Sequence, residues 1–243
     1  MNQQQIVKDV HEINKRVCFN LWNVANVNSK LNSLSPHLIF PQKRSGKIRI
    51  SEQEARVLYC SVLNNLNYFY SMETPTKNVY QQKGQTPVSA STDLSMFINS
   101  GNAFEKVVNV EFKAHNPKVE DIRKDIEKLI RENIYGNWFH TLKNIGNKTI
   151  PTLFDKFKDS FQKCSKNITK KVSFVFCFCV LEKKWACTKE FSFDPSHDDL
   201  SAYINDFFDL KYSATAKSAS VKINKLKGWT LVGKRPENNT QTI

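Results

Sequence analysis

Long apolar runs and glycine are scarce in this sequence, and each scarcity excludes a class of protein. No apolar stretch approaches the roughly 20 residues that span a bilayer, and the longest one, VSFVFCFCVL at 172–181, has the length of a strand. The seven glycines are scattered and form neither a GxGxxG sequence nor a P-loop, so no nucleotide-binding glycine loop is expected. The N-terminal segment lacks the apolar region of a signal peptide. We therefore expect no membrane contact and a cytoplasmic location.

The cysteines show no metal-binding or disulfide pattern. Six are present, but no CxxC pair and no HExxH sequence accompanies them. In a reducing compartment such cysteines are free and buried as small apolar side chains. We expect neither a zinc site nor a catalytic cysteine.

Basic residues exceed acidic ones by 13, which favours an anionic partner. Two stretches concentrate the excess, 143–171 and 211–235. Lys148 in the first stretch and Lys222, Lys225 and Lys227 in the second are candidates to hold nucleic-acid phosphates. Trp138 and Trp229 lie beside basic residues, where a tryptophan either stacks on an unpaired base or is buried in the core.

The N-terminal segment is predicted to be one long helix over residues 2–32. Its apolar residues recur every three or four positions and form a single stripe. Such a stripe packs either on its own domain or on another chain, so a homodimer or a larger complex through this helix is an open alternative. We assign residues 1–40 to a helical extension, 41–235 to the main domain and 236–243 to a disordered tail.

The main domain alternates helices and strands. A helix is predicted to begin after Ser51, with Glu54 completing a capping box. Strand-like segments follow at VSASTDLSMFI and VVNVEFKA, then an amphipathic helix at NPKVEDIRKDIEKLIREN and an apolar hairpin at 170–193. Long helices interleaved with strands indicate an α/β fold with a mixed sheet covered on both faces.

The segment VVNVEFKA at 107–114 has two different faces. Side chains alternate across a sheet, so Val108, Val110 and Phe112 form one apolar face. Glu111 and Lys113 share the other face and lie about 6.6 Å apart along the strand. If the strand that carries Asp93 is the neighbour, its carboxylate joins them.

Two carboxylates that converge on one point repel each other unless a cation lies between them. Hard oxygen ligands suit Mg²⁺, which is bound by one or two carboxylates and leaves room for a phosphate oxygen. A lysine beside the metal can position the attacking water or offset charge in the transition state. Metal ligands, water activation and charge stabilisation are the minimum that hydrolysis of a phosphodiester bond requires.

This arrangement resembles the PD-(D/E)xK nuclease superfamily, which includes restriction endonucleases, Holliday-junction resolvases and recombination exonucleases. The resemblance covers about residues 50 to 135 and rests on Asp93, on EFK at 111–113 and on a helix at either end. It implies a restriction-endonuclease-like α/β/α fold for residues 41–235, with Asp93, Glu111 and Lys113 as catalytic residues. It also implies a Mg²⁺ site, which Mn²⁺ can also fill, formed by Glu54, Asp93 and Glu111. Glu52 is an alternative to Glu54, whose other role is the capping box.

The resulting expectation is a Mg²⁺-dependent deoxyribonuclease, cutting as an endonuclease in restriction, defence or repair. One alternative is a protein with a nuclease-like fold that binds nucleic acid or assembles a complex without cleavage. A second alternative is a structural protein whose basic face contacts an acidic partner. Salt-dependent affinity for DNA distinguishes the second alternative from the other two.

Overall fold

In the described part of the chain, seven strands form one mixed sheet in which the spatial order of the strands is their order in the chain. The computed structural model describes residues 2–25, 38–80, 88–146, 148–209 and 228–233. The strands are β1 (Phe69–Tyr80), β2 (Val88–Asn99), β3 (Phe104–Ala114), β4 (Tyr135–Leu142), β5 (Val172–Val180), β6 (Trp185–Phe193) and β7 (Thr230–Gly233). The central pairs β3–β4 and β4–β5 are parallel and the outer pairs are antiparallel.

Helices cover both faces of the sheet, as the alternation of elements predicts. The first face carries α1 (Gln3–Ala25) and α2 (Glu52–Leu63), and the second carries α3 (Val119–Arg131), α4 (Thr149–Cys164) and α5 (Leu200–Phe207). A short 3-10 turn, Ser165–Asn167, joins α4 to the loop before β5. Among the described helices none is both long and apolar enough to cross a lipid bilayer.

The apolar stripe of α1 is buried within the chain. Ile6, Val10, Ile13, Val17 and Leu21 all lie in the core that α1 and α2 form with the sheet. Of the two alternatives for this stripe, packing on its own domain is the one observed. The structure describes this helix as far as Ala25, and residues 26–32 of the predicted helix lie outside the described residues.

The cysteines are free, as predicted. Five of the six are buried and Cys60 is half-buried. The Sγ atoms of Cys18 and Cys177 lie 3.7 Å apart where α1 crosses β5. Burial raises the pKa of both thiols, which keeps them protonated and unreactive.

Strand β4, YGNWFHTL, is not predicted from the sequence. It is buried along its whole length, so it shows no alternation, and it contains glycine, asparagine and histidine, which are not typical strand residues. Gly136 is required because a Cβ there would lie 2.2 Å from the ring of Phe174. The Asn137 side chain pairs with Asn14 of α1 at 2.9 Å, which satisfies an amide in the core.

Candidate functional site

Strands β2 and β3 bring Asp93 beside the EFK segment. Their antiparallel pairing reaches Leu94 opposite Val110. Beyond this pair, Asp93 Oδ2 accepts a hydrogen bond from the backbone N–H of Phe112 at 2.7 Å. The Asp93 carboxylate therefore lies close enough to Glu111 and Lys113 to act on both electrostatically. The structure thus has Asp93 beside Glu111 and Lys113, which is the arrangement that the sequence predicts if the two strands are neighbours.

The Glu111 carboxylate is completely buried on the face of β3 that α3 covers. It forms an ion pair with Lys128, whose Nζ lies 2.8 Å from Oε1. Its Oε2 has no hydrogen-bond partner among the residues that the structure describes. Burial, with a smaller contribution from Asp125, raises the pKa of Glu111 well above its ordinary value, although Lys128 opposes the shift.

Lys113 and Lys128 are both held by Asp125 of α3. The Nζ of Lys113 lies 2.6 Å from Asp125 Oδ2, and that of Lys128 lies 2.8 Å from Oδ1. Burial alone would lower the pKa of Lys113, but Asp125 and the more distant Glu52 outweigh it and raise that pKa. Lys113 is consequently a firmly protonated ammonium group at neutral pH.

Arg56 of α2 fixes Asp93 from the opposite side. Its Nη2 donates to Asp93 Oδ1 at 2.7 Å, and its Nη1 donates to Glu73 of β1 at 2.6 Å. Both oxygens of Asp93 are thus engaged, one by the guanidinium group and the other by the Phe112 amide. The guanidinium group is almost fully buried, so its charge is compensated by these carboxylates and not by water.

The two glutamates at the start of α2 have different positions. Glu54 completes the predicted capping box, because its Oε2 accepts from the backbone N–H of Ser51 at 2.9 Å and from the Ser51 hydroxyl at 2.8 Å. Glu52 instead faces Lys113, with its Oε1 3.7 Å from Nζ. Burial raises the pKa of Glu52, and Lys113 opposes that shift. Of these two glutamates, Glu52 contacts Lys113 and Glu54 contacts Ser51.

Eight charged side chains make up what we call the ionic cluster. Its members are Glu52, Arg56, Glu73, Asp93, Glu111, Lys113, Asp125 and Lys128. Five carboxylates against three cations leave two negative charges formally uncompensated. With every carboxylate ionised, one divalent cation would offset this excess.

The chemistry of the donors suits a divalent cation, but a coordination shell is not preassembled. Carboxylate oxygens are what Mg²⁺ prefers, and Glu111 Oε2 is buried without a hydrogen bond from any described residue. Within the described ranges, however, no three His, Cys, Asp or Glu side chains already surround one point. A cation between Asp93 and Glu111 would have to replace the contacts that Arg56 and Lys128 now make.

Sequence reasoning misses four members of the ionic cluster, which are Arg56, Glu73, Asp125 and Lys128. Asp125 gives a signal in retrospect, because it lies within the apolar stripe of α3, three residues after Ile122 and one before Ile126. A carboxylate on a buried stripe needs a cationic partner. Lys128 follows three residues later on the same face.

The structure describes only part of the predicted nucleic-acid surface. Lys148 is exposed immediately before α4, whereas Lys222, Lys225 and Lys227 lie outside the described residues. Trp138 and Trp229 are both buried, against Phe157 and Phe154 respectively. Of the two alternatives for these tryptophans, core packing is the one observed.

Comparison with known proteins identifies no relative: no family model, curated protein or solved structure matches the chain.

We expect Arg56→Met to destabilise the fold by about 3 kcal/mol, because it leaves the largely buried Asp93 without its cation. Urea unfolding followed by circular dichroism measures the change. Glu73→Gln is the matched control, since it removes the other partner of Arg56, which is 60% exposed, and should cost less than about 1 kcal/mol. Equal losses in the two variants would contradict the assignment of Asp93 as the dominant partner.

Proposed function

We propose that this protein is a divalent-cation-dependent nuclease of the PD-(D/E)xK type that hydrolyses phosphodiester bonds in DNA, as an endonuclease. The observation that carries the proposal is the position of Asp93, whose carboxylate lies beside the EFK segment of β3 at the point where β2 and β3 cease to pair. The restriction-endonuclease-like fold is part of the proposal. The order of elements supports it, because a helix precedes the strands that carry Asp93 and Glu111, and another follows them.

In this proposal Asp93 and Glu111 hold the cation and Glu52 supports it from the start of α2. A bound Mg²⁺ would polarise the phosphoryl oxygen and lower the pKa of a bound water. Lys113 would position the attacking water and offset charge on the phosphate. It would not act as the base, because Asp125 and Glu52 keep it protonated.

Lys128 and Asp125 would control whether Glu111 is free to bind the cation. Lys128 is held by Asp125 and by the carbonyl of Ser91 at 2.9 Å, so it can remain in place when it releases Glu111. Glu111 must also be ionised before it can act as a ligand. Since its pKa is raised, cation affinity should increase as the pH rises through the raised pKa.

The direct test is cleavage of supercoiled plasmid by the full chain in Mg²⁺. We expect nicked or linear product, its complete loss in EDTA, and the same loss in Asp93→Asn. Linear and single-stranded DNA and RNA are tested in parallel, because the ionic cluster does not discriminate among phosphodiesters. Absence of cleavage on every substrate form would refute the nuclease proposal.

A second candidate function is supported by the fact that the carboxylates of the ionic cluster already have partners within the protein. Both oxygens of Asp93 already accept hydrogen bonds, and Lys128 already pairs with Glu111. If these contacts never yield to a cation, the ionic cluster is a structural clamp between α2, α3 and the sheet. The protein would then bind nucleic acid or assemble a complex without cutting. Salt-dependent DNA binding without cleavage is the result expected for this alternative.

The two glutamates of α2 give a further prediction. Glu52→Gln should weaken Mg²⁺-dependent activity about 10- to 100-fold with little effect on stability, because Glu52 is half-buried and faces Lys113. Glu54→Ala should cost about 1 kcal/mol of stability and leave the activity unchanged, because its contacts are those of the helix cap. Rates over a Mg²⁺ titration and thermal unfolding of both variants separate the roles. The reverse pattern would restore Glu54 to the metal site.

A further inference from the structure

A basic groove runs between the end of α3 and the loop that leads into β5. Two adjoining cavities of about 320 and 110 Å³ form it, and they share Ile130, Asn133 and Val172 as walls. The larger cavity is at the lower end of the size range of ligand pockets. We use the name basic groove for these two cavities together.

The lining of the basic groove carries cations and neutral donors. Arg131, Lys166 and Lys170 line the larger cavity, and Lys171 lines the smaller one. Asn78, Asn167 and Thr169 add uncharged hydrogen-bonding groups, and the linings of both cavities contain no Asp or Glu. Such a surface suits an anion with several oxygen atoms.

The walls of the basic groove are held in place by contacts outside it. Arg131 lies over the ring of Tyr80 at 4.6 Å and donates to the carbonyl of Val79 at 3.2 Å. Asn167 donates to Glu127 at 3.2 Å, which ties the 3-10 turn to α3. Arg131 pairs with Glu127 at 3.6 Å, and Glu127 also pairs with Arg123 at 3.0 Å. Its charge therefore only partly offsets that of Arg131.

Two of the groove's lysines are available to a ligand. Lys166 and Lys170 are exposed, and neither forms an ion pair with a residue in the described part of the chain. Lys171 is different, because it acts electrostatically on Asp194. The charge of Lys166 and Lys170 is consequently free to compensate phosphate.

The groove shares α3 with the ionic cluster. Arg131 lies three residues after Lys128, and residues with this spacing are neighbours on a helix surface, about 5–6 Å apart at Cβ. An extended polyanion that contacts Arg131 therefore passes close to Lys128 of the ionic cluster. A single small anion could not make both contacts.

We infer that the basic groove binds backbone phosphates of the nucleic-acid substrate a short distance from the bond that is cut. This role rests on the proposed function, since it assigns the groove to the same substrate. The groove contacts phosphate and not base edges, so it should contribute affinity without sequence preference. It would hold the strand while the ionic cluster acts on it.

The test compares two double variants of the full chain that lose the same charge. Lys166→Ala/Lys170→Ala removes the free lysines of the groove. Lys8→Ala/Lys183→Ala removes two exposed lysines that line neither cavity. Binding of a labelled duplex oligonucleotide is measured by fluorescence anisotropy in EDTA, from 50 to 200 mM salt, so that cleavage does not interfere.

We expect the groove variant to bind about tenfold more weakly at low salt, and the slope of log affinity against log salt to fall by about 2, one unit for each lost phosphate contact. The control variant should bind like the wild type. Equal binding by both variants, or no salt-dependent binding by the wild type, would overturn the inference.

Plasmid cleavage in Mg²⁺ is recorded separately for the same three proteins. If the wild type cuts plasmid and the groove variant binds DNA as well as the wild type does, phosphate binding by the groove is refuted. The nuclease proposal is then unaffected. A selective loss of binding in the groove variant supports phosphate binding by the groove, and it refutes the nuclease proposal only if the wild type also fails to cut linear DNA, single-stranded DNA and RNA.

Discussion

Lys113→Met is expected to lower Mg²⁺-dependent cleavage of plasmid DNA at least 100-fold. The ammonium group of Lys113 lies 2.6 Å from Asp125 and within the field of Asp93, where it would offset charge that develops on the phosphate. Removal of one such electrostatic group commonly costs 10²–10³ in rate. Because methionine keeps most of the length of the side chain, the loss should appear in the rate of cleavage and not in the affinity for DNA.

Lys106→Met is the matched control for this experiment. Lys106 lies on the same strand and forms a comparable buried ion pair, with Glu132 at 3.3 Å, but it does not belong to the ionic cluster. Both variants should lose similar stability on thermal unfolding, and only Lys113→Met should lose activity. Cleavage by Lys113→Met at the wild-type rate would remove Lys113 from the mechanism.

Glu111→Gln is expected to abolish cleavage and, at neutral pH, to stabilise the fold. The side chain is completely buried and its pKa is raised, so the folded protein favours the protonated form. Above the ordinary pKa of about 4.5 the folded state binds more protons than the unfolded state, and the free energy of unfolding therefore falls as the pH rises. A neutral glutamine at this position does not titrate, so the variant does not lose this stability as the pH rises. We expect a gain of about 1–2 kcal/mol at pH 8, which is a few degrees in Tm, and little change at pH 5.

Glu132→Gln should change stability in the opposite direction. The Glu132 carboxylate is also buried, but it accepts from the Asn78 backbone N–H at 3.1 Å and pairs with Lys106. Burial opposes ionisation there, yet the hydrogen bonds to Lys77 and Asn78 outweigh it and lower the pKa of Glu132. The stabilisation that the ionised Glu132 carboxylate gives the fold is present above the ordinary pKa, and it is lost as the pH falls through the lowered pKa. Calorimetric scans from pH 5 to 8 should thus show Glu132→Gln destabilised by about 2 kcal/mol at pH 8. A destabilised Glu111→Gln at pH 8 would contradict the assigned state of Glu111.

The sequence was most informative where one face of an element is buried. Alternation in β3 predicts that Val108, Val110 and Phe112 pack in the core and that Glu111 and Lys113 face the other way, and the structure confirms this division. The capping box of Ser51 and Glu54 is likewise a local pattern, set by residues three positions apart. Predictions of this kind succeed because the physical cause lies within one element.

Other features depend on neighbours that are distant in the chain. Strand β4 is buried on both faces, so it lacks a period, and its Asn137 is tolerated only because Asn14 of α1 supplies a partner. Lys128 joins the ionic cluster because α3 packs over β3 at the position of Glu111. The preference for Glu52 over Glu54 follows from the direction of each side chain relative to Lys113. No local pattern encodes these relations.

The most direct test of the account is a crystal of the protein soaked in Mn²⁺ at pH 8, with anomalous diffraction data. We predict one anomalous peak between the carboxylates of Asp93 and Glu111, at metal–oxygen distances of about 2.0–2.6 Å, with Lys128 displaced from Glu111. Crystals of Glu111→Gln should lack the peak. A wild-type crystal without a peak at this position, in which Arg56 and Lys128 keep their contacts to Asp93 and Glu111, would contradict the assignment of these carboxylates as metal ligands.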